Sequence, residues 1–179
     1  LETVTGQLDE AARDLGVAIV GGHAEVLDDL ARPLLSLTAM GRTDRVIATG
    51  GASPGDDLLL TAGAGIEGSA ILATDFRGSL DAVDDAVLDR AAGFFAEISV
   101  LEAARALWPL ATGLHDPTEG GVLAGAYEVG QAADATVELD RAAVPIRPET
   151  DEICAAMGVD PLRIFGSGAL LATVQPTDR

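Results

Sequence analysis

The chain has 179 residues, of which 48% are hydrophobic, so it is long enough to bury one sizeable core or two small ones. It carries 29 acidic residues against 11 basic ones, all of them arginine, and its formal net charge is −18. This charge argues against binding to nucleic acid or to an anionic membrane surface. The bias indicates a halophilic (salt-adapted) or high-GC source, with codon bias alone as the alternative.

The remaining composition favours a soluble cytoplasmic protein. No apolar run approaches the roughly 18 residues that a membrane span requires, and the first segment is acidic and helix-like, unlike a signal sequence. Cys154 is the single cysteine, which excludes an internal disulfide and fits a reducing compartment. Because Cys154 lies in an apolar helical stretch, we interpret it as a buried structural thiol and not as a nucleophile.

The first quarter of the chain has too few elements for a core of its own. Its pattern predicts a helix over residues 5–15 that ends at Gly16, a strand over residues 17–20 and another over residues 33–40. One helix and two strands do not make an independent core. We therefore interpret residues 1–43 as the end of one domain and residues 44–179 as a second domain.

The second domain mixes helices and strands along its whole length. Its predicted helices cover residues 66–74, 81–95, 99–107, 120–133 and 148–157, with Ser99 and Glu102 as a capping box, and its predicted strands cover residues 57–61, 111–115, 136–139 and 169–174. This mixture predicts an α+β fold with a layered α/β/α arrangement.

The segment from His115 to Val122 is the most informative stretch of the chain. Pro117 fixes its own φ angle and favours an extended Asp116, while Thr118 is a candidate helix cap. The glycines at 120 and 121 allow a ligand to approach the first N–H groups of the following helix, which suits an anion. The alternative is an ordinary connection between a strand and a helix, in which the same residues only satisfy the backbone.

This segment supplies both candidate catalytic residues. Asp116 stays ionised beside a helix N-terminus, where a carboxylate binds a metal or orients a substrate. His115 is a candidate for proton transfer, although a single histidine at a strand end is more often structural. Thr118, Gly120 and Gly121 are the expected contacts to a phosphate group.

Two further segments contain candidate site residues. Ser167 and Gly168 follow a strongly turn-forming sequence, and their amides and hydroxyl, together with Arg163, form a possible phosphate cradle. The alternative is a simple glycine turn. Near the amino terminus, His23 and Glu25 follow a glycine pair and are able to project from a tight turn; a surface role for both is an equal alternative.

Taken in order, five segments resemble the family of aminoimidazole ribonucleotide synthase (PurM) and the hydrogenase maturation protein HypE. The similarity is nearest to the AIR synthase-related proteins and extends from about Ala18 to Val174. The five segments are residues 21–26, 55–61, 65–68, 115–122 and 160–168.

The resemblance implies cofactors, partners and site roles. Members of this superfamily use ATP and Mg²⁺ to activate an oxygen or a phosphate ester, have two α+β domains, and dimerise through the N-terminal one. Gly22 and His23 would lie at the nucleotide end and Glu25 would contact magnesium, although Ala24 replaces a hydroxyl residue of the relatives. Residues 44–179 would be the PurM C-terminal-like domain, truncated, with residues 1–43 ending the N-terminal-like domain.

The resemblance also shows departures. Glu119 stands where HypE relatives often have arginine, and the chain ends without the reactive C-terminal cysteine of HypE. We therefore expect an ATP-dependent synthase or maturation enzyme acting on a phosphorylated or carboxamide-type small molecule, of which this chain is a fragment lacking full activity. The alternatives are a non-catalytic scaffold that binds a maturation partner and, least favoured, a metal hydrolase using both histidines.

Overall fold

The computed structural model describes residues 1–178; Arg179, the last residue of the predicted second domain, lies outside them. The chain divides into two compact units, Leu1–Arg42 and Thr43–Arg179. No helix within residues 1–178 is both long enough and apolar enough to cross a membrane.

The first unit contains one helix. Helix α1 covers Glu2–Leu15, so the helix predicted here is confirmed and begins three residues earlier. Gly16 ends it in the left-handed conformation (φ 68°), and the amides of Gly16 and Val17 donate to the carbonyls of Arg13 and Ala12. The left-handed turn at Gly16 therefore lets two amides satisfy carbonyls that the end of a helix leaves open.

The two strands predicted in this unit are wrong. Residues 17–20 and 33–40 have no ladder of hydrogen bonds, and their apolar side chains are exposed, Val20 and Met40 to 85% each. A strand requires the N–H and C=O groups of a neighbour, and apolar alternation alone does not supply them.

The second unit is built around three antiparallel strands. They are β1 (Asp57–Leu60), β2 (Ala111–His115) and β3 (Leu171–Val174), in the order β1-β3-β2. Strand β3 is buried along its whole length, because it pairs with a strand on either side and packs on both faces. The register places His115 opposite Leu171. Three predicted strands are thus confirmed: β2 has the predicted bounds, β1 ends one residue earlier and β3 begins two residues later.

Five α-helices accompany the sheet within the described part of the second unit, and each was predicted. They are α2 (Ile66–Asp75), α3 (Asp85–Ala92), α4 (Leu101–Leu107), α5 (Gly121–Ala133) and α6 (Pro148–Met157). Helix α3 is shorter than predicted because Asp84 accepts a hydrogen bond from the amide of Ala86 and caps it there. The mixed architecture confirms the α+β class.

Two details of the prediction are wrong. The capping box of Ser99 and Glu102 does not form: Val100 occupies the N-cap without a side-chain bond, and Glu102 accepts from Arg105 at 2.7 Å instead. Residues 136–139 are not a strand in the structure. They face a groove beside the edge strand β1 and lie outside the sheet.

Two apolar clusters form the core. The first joins α2, α3 and α6 through residues such as Ile66, Leu88 and Ile153. The second lies against the sheet and contains Ala64, Val122, Leu162 and Leu171. Val122 lies in the first turn of α5, and Leu162 precedes the glycine turn at 166–168. The second cluster therefore packs beneath both segments of the candidate site.

Candidate functional site

The loop between β2 and α5 is anchored by Pro117. This proline is fully buried, whereas its neighbour Asp116 is exposed, as is Glu119. A Cβ at position 125 would lie 2.7 Å from the Cβ of Pro117, so only glycine at 125 lets α5 pack against the proline at this distance. The packing of Pro117 against α5 thus holds the loop in place, while Asp116 stays exposed.

Thr118 organises the loop but does not cap α5 with its side chain. Its hydroxyl donates to the Asp116 carboxylate at 3.2 Å, and its amide donates to the Asp116 carbonyl at 3.0 Å. The N-cap position is taken by Gly120 in the left-handed conformation (φ 75°). The expected cap is therefore corrected, because the Thr118 hydroxyl is already bonded to Asp116.

Two of the first amides of α5 are used inside the chain. Gly121 donates to the carbonyl of Thr118 at 3.3 Å, and Leu123 donates to the carbonyl of Leu162 at 3.1 Å. Within residues 1–178, the exposed amide of Gly120 has no main-chain acceptor. The sequence predicted several unpaired N–H groups at this helix end. The structure corrects this, because in the described part of the chain the amides of Gly121 and Leu123 are paired and that of Gly120 is not.

The glycine turn at 166–168 lies directly against this loop. Gly166 donates its amide to the carbonyl of Thr118 at 3.2 Å, and the turn is closed by Ala169, which donates to the carbonyl of Gly166 at 3.1 Å. In the described chain, the amides of Ser167 and Gly168 have no main-chain acceptor. The structure therefore brings together the two segments that the sequence singled out for phosphate contacts.

Arg163 stands at the start of this second segment. Its side chain is 70% exposed, and its Nε lies 3.9 Å from the carboxylate of Asp160. Asp160 is held by Arg141 through two bonds of 2.8 and 3.0 Å and accepts from the amide of Leu162. The bonds from Arg141 and then from Leu162 hold the pKa of Asp160 below its ordinary value. Asp160 thus fixes the segment and leaves the Arg163 guanidinium largely in solvent.

His115 is held by both of its ring nitrogens. Its Nε2 lies 2.6 Å from Oε2 of Glu128 on α5, and its Nδ1 lies 3.3 Å from the hydroxyl of Thr49. The imidazole is only 16% exposed. Neither Glu128 nor Thr49 is among the site residues predicted from the sequence. The spacing of Gly121, Gly125 and Glu128 along one helix face was the available signal for Glu128.

The candidate nucleotide-end residues lie in the first unit. Gly22, His23 and Glu25 are in exposed chain outside helices and strands. Among residues 1–178, no three histidine, cysteine, aspartate or glutamate side chains come together in an arrangement that could hold a metal ion. Mg²⁺ is commonly held by one or two carboxylates together with substrate phosphates, and the role of Glu25 in such a site stays a prediction.

A third glycine-rich segment is explained by packing. Residues 63–68 follow β1 and open α2 with glycines at 63, 65 and 68, a spacing found in phosphate-binding turns. A Cβ at Gly65 or Gly68 would lie 2.8–2.9 Å from the side chain of Ile164. Glu67 in the first turn also adds a negative charge. The packing of Ile164 therefore accounts for the glycines at 65 and 68 without an anion.

The chain matches a known protein family over most of its length. The family model "AIR synthase related protein, C-terminal domain" matches residues 53–179. The carbamoyl dehydratase HypE of Cupriavidus necator is 31% identical over 182 aligned positions, which cover 99% of this chain and 50% of the relative.

Solved structures agree with this match. The crystal structure of E. coli HypE, a hydrogenase maturation protein, superimposes with a TM-score of 0.71 at 25% identity, covering 94% of this chain and 51% of the other. The structure of HypE in complex with ATP gives a TM-score of 0.66 at 23% identity, covering 94% and 50%. The chain thus spans about half the length of the relatives it matches.

Proposed function

The chain belongs to the AIR synthase-related family, and on that premise we propose that the full-length protein is an ATP-dependent enzyme of the HypE type. In this proposal the second unit is the substrate-facing C-terminal domain. The substrate is a phosphorylated or carboxamide-type small molecule. Homodimerisation, a cytoplasmic location and the use of Mg²⁺ stay predictions.

One observation carries the proposal: the hydrogen bond between Gly166 and Thr118 joins the Asp116 loop directly to the glycine turn. Beside this bond lie the amides of Gly120, Ser167 and Gly168, which have no main-chain acceptor among the described residues. Gly120 is exposed and Ser167 is half-buried, whereas Gly168 is buried behind them. Backbone N–H groups that point to one place bind the oxygens of a phosphate group, and in this proposal those of Gly120 and Ser167 do so. The donors therefore fit the phosphates of ATP or of a phosphorylated substrate.

The net charge of −18 makes these uncharged donors important. A polyphosphate approaching an acidic protein is repelled at long range, so binding depends on short-range hydrogen bonds and on local cations. Arg163, which is largely exposed, is the cation that precedes the turn. We assign it the role of a charge-assisted contact to a phosphate oxygen. Bound ATP supplies the phosphoryl group, and the chain supplies position and charge neutralisation.

Asp116 serves the other end of the substrate in this proposal. An ionised carboxylate only accepts hydrogen bonds, so it repels phosphate but binds an N–H group well. A carboxamide or carbamoyl group offers such N–H donors. The Thr118 hydroxyl holds one oxygen of Asp116 and leaves the other to accept from the substrate. In this proposal the Asp116 carboxylate accepts hydrogen bonds from the amide end of the substrate, and the backbone amides donate hydrogen bonds to its phosphate end.

The test is turnover by the full-length protein. ATP hydrolysis is measured with magnesium and with candidate carboxamide substrates, and the wild type is compared with Asp116→Ala. Glu152→Ala, which removes an exposed acid on α6, is the matched control. We expect Asp116→Ala to lower substrate-stimulated turnover at least about tenfold, as for loss of a charged hydrogen bond, with no effect of the control. Turnover that Asp116→Ala leaves intact removes this residue from the proposal.

A non-catalytic scaffold is the second candidate. It is favoured by the internal use of the amides of Gly121 and Leu123, which reduces the anion-binding capacity of the helix end, and by Ala24 in place of a hydroxyl residue. Full-length protein that binds a maturation partner in a pull-down but binds no nucleotide would support the scaffold over the enzyme.

A further inference from the structure

His115 joins three parts of the fold at the entrance of the Asp116 loop. It is the last residue of β2 and directly precedes Asp116. Its ring bridges Glu128 on α5 and Thr49 in the short helical turn at 49–51. The distance of 2.6 Å between Nε2 and the Glu128 carboxylate marks a short hydrogen bond.

The donor and acceptor roles in this arrangement follow from the groups involved. A carboxylate only accepts, so Nε2 of His115 carries a proton and donates to Glu128. The Thr49 hydroxyl can donate to Nδ1 of a neutral ring. When the ring is protonated, the same hydroxyl accepts from Nδ1 and can donate to the carbonyl of Leu114, 3.4 Å away. The ring therefore keeps both partners in either protonation state.

The same helix holds the residue on the other side of Asp116. Gly125 contacts Pro117, and Glu128, three residues further along α5, contacts His115. Positions three apart lie on the same face of a helix. One face of α5 thus holds the residues immediately before and after Asp116.

We propose that Glu128 is a positioning residue, which through His115 fixes the backbone direction of Asp116, and that His115 does not exchange protons with a substrate. Both ring nitrogens already have partners, so proton transfer to a ligand would require one of these bonds to break. We call the contacts of His115 with Glu128 and Thr49 the His115 clamp. Its importance for activity rests on the proposed function of Asp116, whereas its geometry does not.

The first experiment observes the ring directly by NMR of the 179-residue chain. The chain has two histidines, and His23, which is exposed, is an internal control. We expect a slowly exchanging Nε2 proton signal from His115 and none from His23. Glu128→Ala should remove the signal, and Glu128→Gln should retain it because the amide oxygen still accepts. Absence of the signal in the wild type, or its persistence in Glu128→Ala, would overturn the proposal.

The second experiment measures amide hydrogen exchange in the same variants. The amides of Thr118 and Gly166 report on the loop, because they donate to the carbonyls of Asp116 and Thr118. We expect both to exchange at least about tenfold faster in Glu128→Ala, with wild-type rates in Glu128→Gln and at the control amide of Gly158. Equal acceleration at Gly158 would indicate general destabilisation and overturn a specific positioning role, as would unchanged exchange at Thr118 and Gly166.

These outcomes are separate from those of the proposed function. If Asp116→Ala leaves turnover intact while the two NMR results hold, the enzyme proposal fails and the clamp stands. If turnover depends on Asp116 but the ring signal is insensitive to Glu128→Ala, the enzyme proposal stands and the positioning role is overturned.

Discussion

Gly166 donates its backbone N–H to the carbonyl of Thr118 across 3.2 Å, which links two loops that lie 48 residues apart (166 minus 118) in the chain. The contact is close because position 166 has no side chain: a Cβ there would overlap the carbonyl oxygen of Pro117. The bond couples the exposed Asp116 carboxylate to the glycine turn that carries Ser167. A change in either loop is therefore expected to move the other.

Replacing Gly166 with alanine tests this coupling. The added methyl must displace the buried Pro117 carbonyl, so we expect Gly166→Ala to lower the free energy of unfolding by about 1–3 kcal/mol, as for overpacking of a core. The measurement is urea unfolding followed by circular dichroism. Gly93→Ala is the control, because position 93 has helical angles and open space around it. Equal stability of the Gly166 variant and the wild type would contradict the contact.

Gly121→Ala tests both the left-handed backbone and the close packing at the start of α5. Position 121 has a φ of 62°, and a Cβ there would lie 2.5 Å from the carbonyl oxygen of Ile164 and 2.6 Å from that of Leu162. Gly158, which ends α6, has a φ of 66° but open space. Gly158→Ala should therefore cost only the left-handed backbone, about 1–2 kcal/mol, and Gly121→Ala should cost clearly more in thermal or urea unfolding. Equal costs would show that the packing of residue 121 is unimportant.

The Asp160–Arg141 pair predicts a pH dependence of stability. Because folding lowers the pKa of Asp160 from its ordinary value of 3.8, the pair stabilises the folded state above about pH 3.8. This contribution is lost as the pH falls through the lower, folded-state pKa. Arg141→Ala should weaken the acid-induced loss of stability in this range. Unfolding curves from pH 6 to pH 2 check it, and superimposable pH profiles of the variant and wild type would contradict the role of this pair.

The thiol of Cys154 should react only slowly in the folded protein. Burial, followed by the nearby charges of Asp151 and Asp160, raises the pKa of its thiol to about 11. Since the thiolate is the reactive form, folded protein at pH 8 should react with a disulfide reagent far more slowly than protein unfolded in guanidinium. Rapid reaction of the folded protein would show that the thiol is accessible. The prediction of a structural cysteine agrees with its burial.

Elements with local signals were predictable from the sequence. Helix α6 has the predicted bounds, because Pro148 occupies its first turn and Gly158 adopts the left-handed conformation that ends it. The loop of Pro117 and the turn of Ser167 were also visible, since proline and glycine punctuate the chain. That residues 136–139 do not form a strand was not predictable in the same way, because strand formation depends on a partner that alternation in the segment's own sequence does not reveal.

The detailed geometry of the candidate site required the structure. Thr49 and His115 are 66 residues apart, and nothing in either local sequence indicates that they meet. The two amides that donate inside the chain were likewise invisible, because their acceptors, Thr118 and Leu162, are set by tertiary packing. Sequence patterns identified which segments form the site, and packing decided which of their atoms stay available.

The most direct test of the central proposal is an NMR titration of the amides with inorganic pyrophosphate. The account predicts saturable shifts at Gly120, Ser167 and Gly168, whereas Gly78 and Gly93, which lie on the surface away from packed neighbours, stay unchanged. Folded protein in which the first three resonances do not move, or in which all five move alike, would contradict a phosphate site at the junction of these two loops.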